Sequence, residues 1–146
     1  MLTTISIYLT SILGAFLTFL VNTKYKQGPV RASALLTLIV AGVCFLFPKI
    51  FSEDIINQIP WVFFGSSFVG MTSGKLTRNY ISIIFAGIVF GFIYTVSPDF
   101  FNGYGGALGT AACISILVVI GINNLIRLLK ASKKKKRLLK KVVLKS

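Results

Sequence analysis

Apolar residues are gathered into five runs, and the polar residues between those runs are sorted by charge. The runs cover about Leu2–Val21, Ala32–Phe47, Trp61–Ser73, Tyr80–Val96 and Ala107–Ile126. Roughly 20 apolar residues in a helix cross a hydrocarbon core, so runs of this kind read as membrane spans. The second stops at Pro48, which a helix does not easily continue through. The third is short for a span and is built largely from Gly, Ser, Thr and Phe. No cation precedes the first run, which therefore reads as a retained span and not as a cleaved leader.

The gaps set the orientation. Lys24, Lys26 and Arg31 fall in the first gap and Lys49 in the second; Lys75 and Arg78 follow in the third. The fourth gap has no cation, and ten follow the last run. All three acids, Glu53, Asp54 and Asp99, lie in the second and fourth gaps. Lys and Arg are retained on the cytoplasmic side of a membrane. Five crossings with the N-terminus outside and the C-terminus inside leave only Lys49 on the unfavoured side. A re-entrant third run would put Lys75 and Arg78 outside. The expected fold class is an all-α integral membrane protein of about five transmembrane helices in the cell membrane. Residues 1–129 would form the multipass domain and residues 130–146 a basic cytoplasmic tail.

An internal echo suggests a tandem helical-hairpin repeat. Two spans each begin after an arginine (Arg31, Arg78) and end at a proline (Pro48, Pro98). Each is followed by a Gly-rich span that returns inward. Such hairpins would be parallel repeats.

Composition narrows the function classes. Charged residues make up 13% of the chain against about 25% in a soluble domain, so no water-facing surface can be assembled from it. The net charge of +13 is concentrated in the tail and abuts a span, which points to anionic headgroups as partner and away from nucleic acid. Lys133, Lys134, Lys135, Lys136, Arg137, Lys140 and Lys141 are the expected lipid contacts, with Leu138, Leu139, Val142 and Val143 recurring between them at helical spacing. The chain has no histidine, and Cys44 and Cys113 sit inside apolar runs, so neither a metal site nor a disulfide framework is expected. Catalysis in the membrane wants a base, a metal or an activated nucleophile, and no carboxylate or His lies within any run. No enzyme activity and no cofactor are expected. A proton-coupled pump is disfavoured on the same ground.

Small residues spaced by four supply the candidate site. Ser66, Gly70 and Gly74 form one ridge, Gly87 and Gly91 a second, and Gly105, Gly109 and Cys113 a third. Such ridges let helix backbones approach closely. A distorted helix over 63–74 would present hydroxyls at mid-membrane, as selective sites in channels do. The candidate pathway or packing residues are therefore Ser66, Ser67, Gly70, Thr72 and Ser73, with Gly105, Gly109, Thr110 and Ser115 opposite them. The leading expectation is a small channel or transporter acting as a homo-oligomer on an unspecified solute. The rival is a non-transporting membrane subunit, anchor or assembly factor. Full packing of the ridges within one chain would favour the rival.

Overall fold

The computed structural model describes residues 2–47, 53–74, 79–97 and 105–143, with side chains for 3–47, 56–74, 79–97 and 106–133. The described residues form helices only: α1 (Leu2–Lys24), α2 (Pro29–Leu46), α3 (Glu53–Gly70), α4 (Tyr80–Val96) and α5 (Gly105–Val143). Three of them, over Thr3–Lys24, Pro29–Leu46 and Gly106–Lys133, are long and apolar enough to cross a membrane. Helix α4 is apolar but shorter. Large apolar side chains cover the outside of the bundle, among them Leu38, Phe45, Trp61, Phe85 and Leu117. That is the surface a bilayer solvates and water does not.

The core lies where α1, α3 and α4 meet, with α5 completing it. Helices α1 and α3 share the most extensive contact and run parallel. Thr3, Ser6 and Ile7 neighbour Gln58, Ile59 and Val62. Farther along, Gly14 meets Phe63 and Ser66, and Gly70 meets Ala15, Thr18 and Phe19. Helix α4 is antiparallel to α1: Gly91 sits by Tyr8 and Gly87 by Ser11 and Ile12. The ring of Tyr80 lies edge-on to Phe16 and Phe19. Helix α5 is antiparallel to α4, since Leu108 and Phe90 share the space beside Gly65 and Asn123 bonds Ser82. Helix α2 is peripheral and buries little beyond Ala32, Ser33 and Cys44.

Several boundaries differ from the sequence expectation. Helix α3 starts at Glu53, eight residues before Trp61, and ends at Gly70 instead of Ser73. Glu53 and Asp54 are therefore helical residues and not loop residues, at the end of a helix where the macrodipole favours negative charge. Pro60 lies inside α3. A membrane helix accommodates the missing N–H through its neighbours, so this proline does not end the element. Helix α2 opens three residues early, at Pro29, because proline suits the first helical position. Helix α5 passes without interruption across Leu129 and Lys130. At 1.5 Å per residue its 39 residues extend about 58 Å, nearly twice a hydrocarbon core of about 30 Å. Asp99, Lys49, Lys75 and Arg78 lie outside the described residues.

Helices α2 and α4 end alike. Phe47 (φ −122°, ψ 55°) donates its N–H to Val43, and Ser97 (φ −126°, ψ 57°) donates to Ile93. Each precedes a proline, whose ring disfavours the helical conformation in the residue before it.

Candidate functional site

The third run is a continuous helix up to Gly70, and the hydroxyls of Ser66, Ser67 and Thr72 are turned to its own backbone. Ser66 Oγ donates to the Phe63 carbonyl at 3.1 Å and Ser67 Oγ to Phe64 at 2.6 Å. Thr72, just beyond the helix end, donates to Val69 at 2.7 Å. Back-bonding of this kind satisfies a hydroxyl in an apolar medium without any ligand. Ser33 Oγ lies 2.6 Å from Ser67 Oγ. Ser67 has committed its one proton to Phe64, so Ser33 is the donor and ties α2 to α3. The second hairpin has its own polar tie: Asn123 Nδ2 donates to Ser82 Oγ at 2.9 Å.

Glycine carries the closest helix approach. A Cβ at Gly70 would stand 2.5 Å from the Ala15 carbonyl oxygen, 2.7 Å from Thr18 Cβ and 2.9 Å from the Phe19 nitrogen. At Gly14 it would collide with Ser66 Oγ, and at Gly65 it would sit 2.5 Å from the Phe90 ring. Ser66 and Gly70 thus press against α1, while Gly74 lies at ordinary contact from Thr23. Gly87 and Gly91 take up the other side of α1, where Ser11 and Ala15 fit beneath them. Ser11 and Thr18 are fully buried, and their hydroxyls have no hydrogen-bond partner among the described residues.

The fifth helix behaves differently. A Cβ at Gly106, Gly109 or Gly121 would meet nothing within 4 Å. Cys113 is exposed. Thr110 is exposed too and donates to its own helix at Ala107 (2.8 Å). It therefore does not face Ser66 and Ser67. Ser115 is buried, and its hydroxyl returns to Ala111 at 2.7 Å. Gly105 is the first residue of α5. The buried residues Ala107, Leu108, Ala111, Ala112, Ser115 and Val119 mark the face of α5 turned to the bundle. Gly106, Thr110, Cys113, Leu117 and Gly121 lie on the face turned away.

Two cavities bounded by described residues sit at opposite ends of the α1–α3 seam. One, among Thr3, Ser6, Gln58 and Val62, holds about 10 Å³, at the lower limit for a single water. The other is an open groove of about 920 Å³ among Asn22, Thr23, Lys26, Pro29, Met71, Ser73 and Gly74. Between them the seam is closed by Gly14 on Ser66 and by Gly70 on Ala15.

Sequence reasoning missed the partner face of this seam. Ser11 and Ala15, and Gly14 and Thr18, are small residues spaced by four in α1, so the same signal was present in the first run. It also missed Gly65, which stands alone in spacing and receives Phe90. Lys133 is exposed on α5, whose helix carries Lys134, Lys135, Lys136, Arg137, Lys140 and Lys141 onward to Val143; the side chains of these six lie outside the described residues.

Comparison with protein-family models, with curated proteins and with solved structures gives no match to this chain.

Proposed function

We propose that the chain is a five-crossing subunit of the cell membrane that works by assembling with copies of itself through the outer face of α5. The observation that carries this is the contrast between two sets of small residues. Gly14, Gly65 and Gly70 are filled by neighbours, whereas Gly106, Gly109 and Gly121 meet nothing within 4 Å. A lipid-facing position has no need of a missing side chain, while a helix–helix contact does. Five crossings are supported by the alternating directions of the helices: α1, α3 and α5 run one way, and α2 and α4 the other. The charge bias then puts Lys24, Lys26, Arg31 and the basic end of α5 in the cytoplasm.

Any solute path in this reading lies between copies. The α1–α3 seam is closed, and the hydroxylated residues of α3 are bonded within the protein. The same packing favours the non-transporting reading, in which the subunit anchors or stabilises a larger complex.

Cys113 supplies the test. In native membranes, a short bifunctional thiol reagent should link two copies through Cys113, and Gly109→Leu should abolish the linked species while leaving the protein folded. A protein that stays monomeric across detergents and fails to link in membranes would overturn the assembly reading. Proteoliposomes then separate the two functions. Flux of small ions or uncharged solutes that is lost in Gly109→Leu supports transport, and membranes as tight as protein-free ones support the anchoring role.

A further inference from the structure

We propose that the groove at the end of the α1–α3 seam is a binding site for the phosphate of an anionic phospholipid headgroup. It opens between the last turn of α1, the first turn of α2 and the chain leaving α3, with a volume of about 920 Å³. Ligand sites generally enclose about 300–1,000 Å³, so the space suits a headgroup with the first part of its acyl chains.

The lining is divided as an amphiphile requires. Lys26 supplies an ammonium, and Asn22, Thr23 and Ser73 supply a carboxamide and two hydroxyls. Pro29 and Met71 supply an apolar wall. The carboxamide of Asn22 takes no hydrogen-bond partner among the described residues. Thr23 has committed its proton to the Phe19 carbonyl at 2.7 Å, so its oxygen can accept from a headgroup hydroxyl but does not donate to the phosphate. Two further cations flank the groove along the chain, Lys24 and Arg31, both exposed. The first turn of α2 adds to this field: Gly28 caps it without a side-chain hydrogen bond, and helix N-termini favour anions. Among the described residues no acid lies near this end, since Glu53 and Asp54 open α3 at the other. Positive pockets between membrane helices on the cytoplasmic side hold acidic headgroups for these reasons.

Lys26 is the residue to change. It adopts a positive φ of 51°, a conformation glycine accepts readily, so Lys26→Gly removes the ammonium without straining the turn. The full chain in neutral detergent is titrated with dioctanoyl phosphatidylglycerol, and the thermal midpoint is followed against lipid concentration. Wild type should be stabilised, and half-saturation should shift at least fivefold upward in Lys26→Gly. Lys26→Arg should restore most of the affinity. Lys130→Gln, which removes an exposed cation of α5 outside the groove lining, should move it less than twofold.

Equal affinity in Lys26→Gly and wild type would overturn the site, as would an equal loss in Lys130→Gln. Equal stabilisation by dioctanoyl phosphatidylcholine would overturn selectivity for an anionic headgroup. Inorganic phosphate separates the two sources of the same chemistry: saturation by phosphate at concentrations no higher than the lipid would overturn the lipid assignment. The groove is lined by residues of one chain and lies away from the outer face of α5, so the titration stands or fails independently of self-assembly.

Discussion

Replacing Gly70 by Ala should destabilise this protein even though alanine is the better helix former. The added methyl would arrive 2.5 Å from the Ala15 carbonyl oxygen, where ordinary contact begins at about 3.4 Å. Helices α1 and α3 must then part by about 0.9 Å, and the obstructing atoms belong to the α1 backbone, which cannot rotate aside as a side chain would. Overpacking of this kind typically costs about 1–3 kcal/mol. The gain in helix propensity is about 1 kcal/mol and offsets part of that cost. A net loss of up to about 2 kcal/mol is expected for Gly70→Ala, and a larger loss for Gly70→Leu. Gly109→Ala is the matched control, since its methyl would enter open space and should leave the single chain as stable as wild type or slightly more so. The assay is equilibrium unfolding in mixed detergent micelles, followed by the fluorescence of Trp61, which α3 carries on its exposed side. Gly70→Ala matching or exceeding wild-type stability would refute the close approach of α1 and α3. So would an equal drop in both variants, because only one of them meets a wall.

Phe90 is fully buried against Gly65, so Phe90→Ala should cost about 3–5 kcal/mol, and Phe90→Leu should partly rescue Gly65→Ala in the same unfolding assay. A double-mutant cycle of Ser33→Ala and Ser67→Ala should show a coupling of about 0.6 kcal/mol, the usual size for hydroxyl pairs between membrane helices; zero coupling would remove the tie between α2 and α3. Ser11→Ala deletes a buried hydroxyl without a partner among the described residues, so stability should hold or rise, and a fall would reveal a partner. In a chain with Cys44 and Cys113 changed to Ser, a cysteine replacing exposed Asn57 should react with impermeant thiol reagents in intact cells. One replacing exposed Ser132 should react only after permeabilisation. The reverse pattern would invert the orientation.

Periodicity was enough to read five helices, because burial in lipid needs long apolar runs. Start and stop positions were less legible. Glu53, Asp54 and Pro60 looked like a loop by composition, yet α3 absorbs all three. Its first turn welcomes acids, and a membrane helix accommodates an internal proline. The small-residue ridges were visible as spacing, but spacing is the same for a ridge that is filled and one that is not. Only the tertiary arrangement decided that Gly70 is pressed on the α1 backbone while Gly109 has open space beside it. It also decided that Ser66 and Ser67 are satisfied by their own helix, and that Thr110 points away from them. The groove holding Lys26 was equally hidden, since its walls come from residues about 50 positions apart (Asn22 and Thr23 against Met71 and Ser73). A sequence carries one-dimensional pattern, and solvation by lipid acts on that pattern directly. Which helix faces touch depends on how five rods settle against one another, and that is a property of the packed bundle.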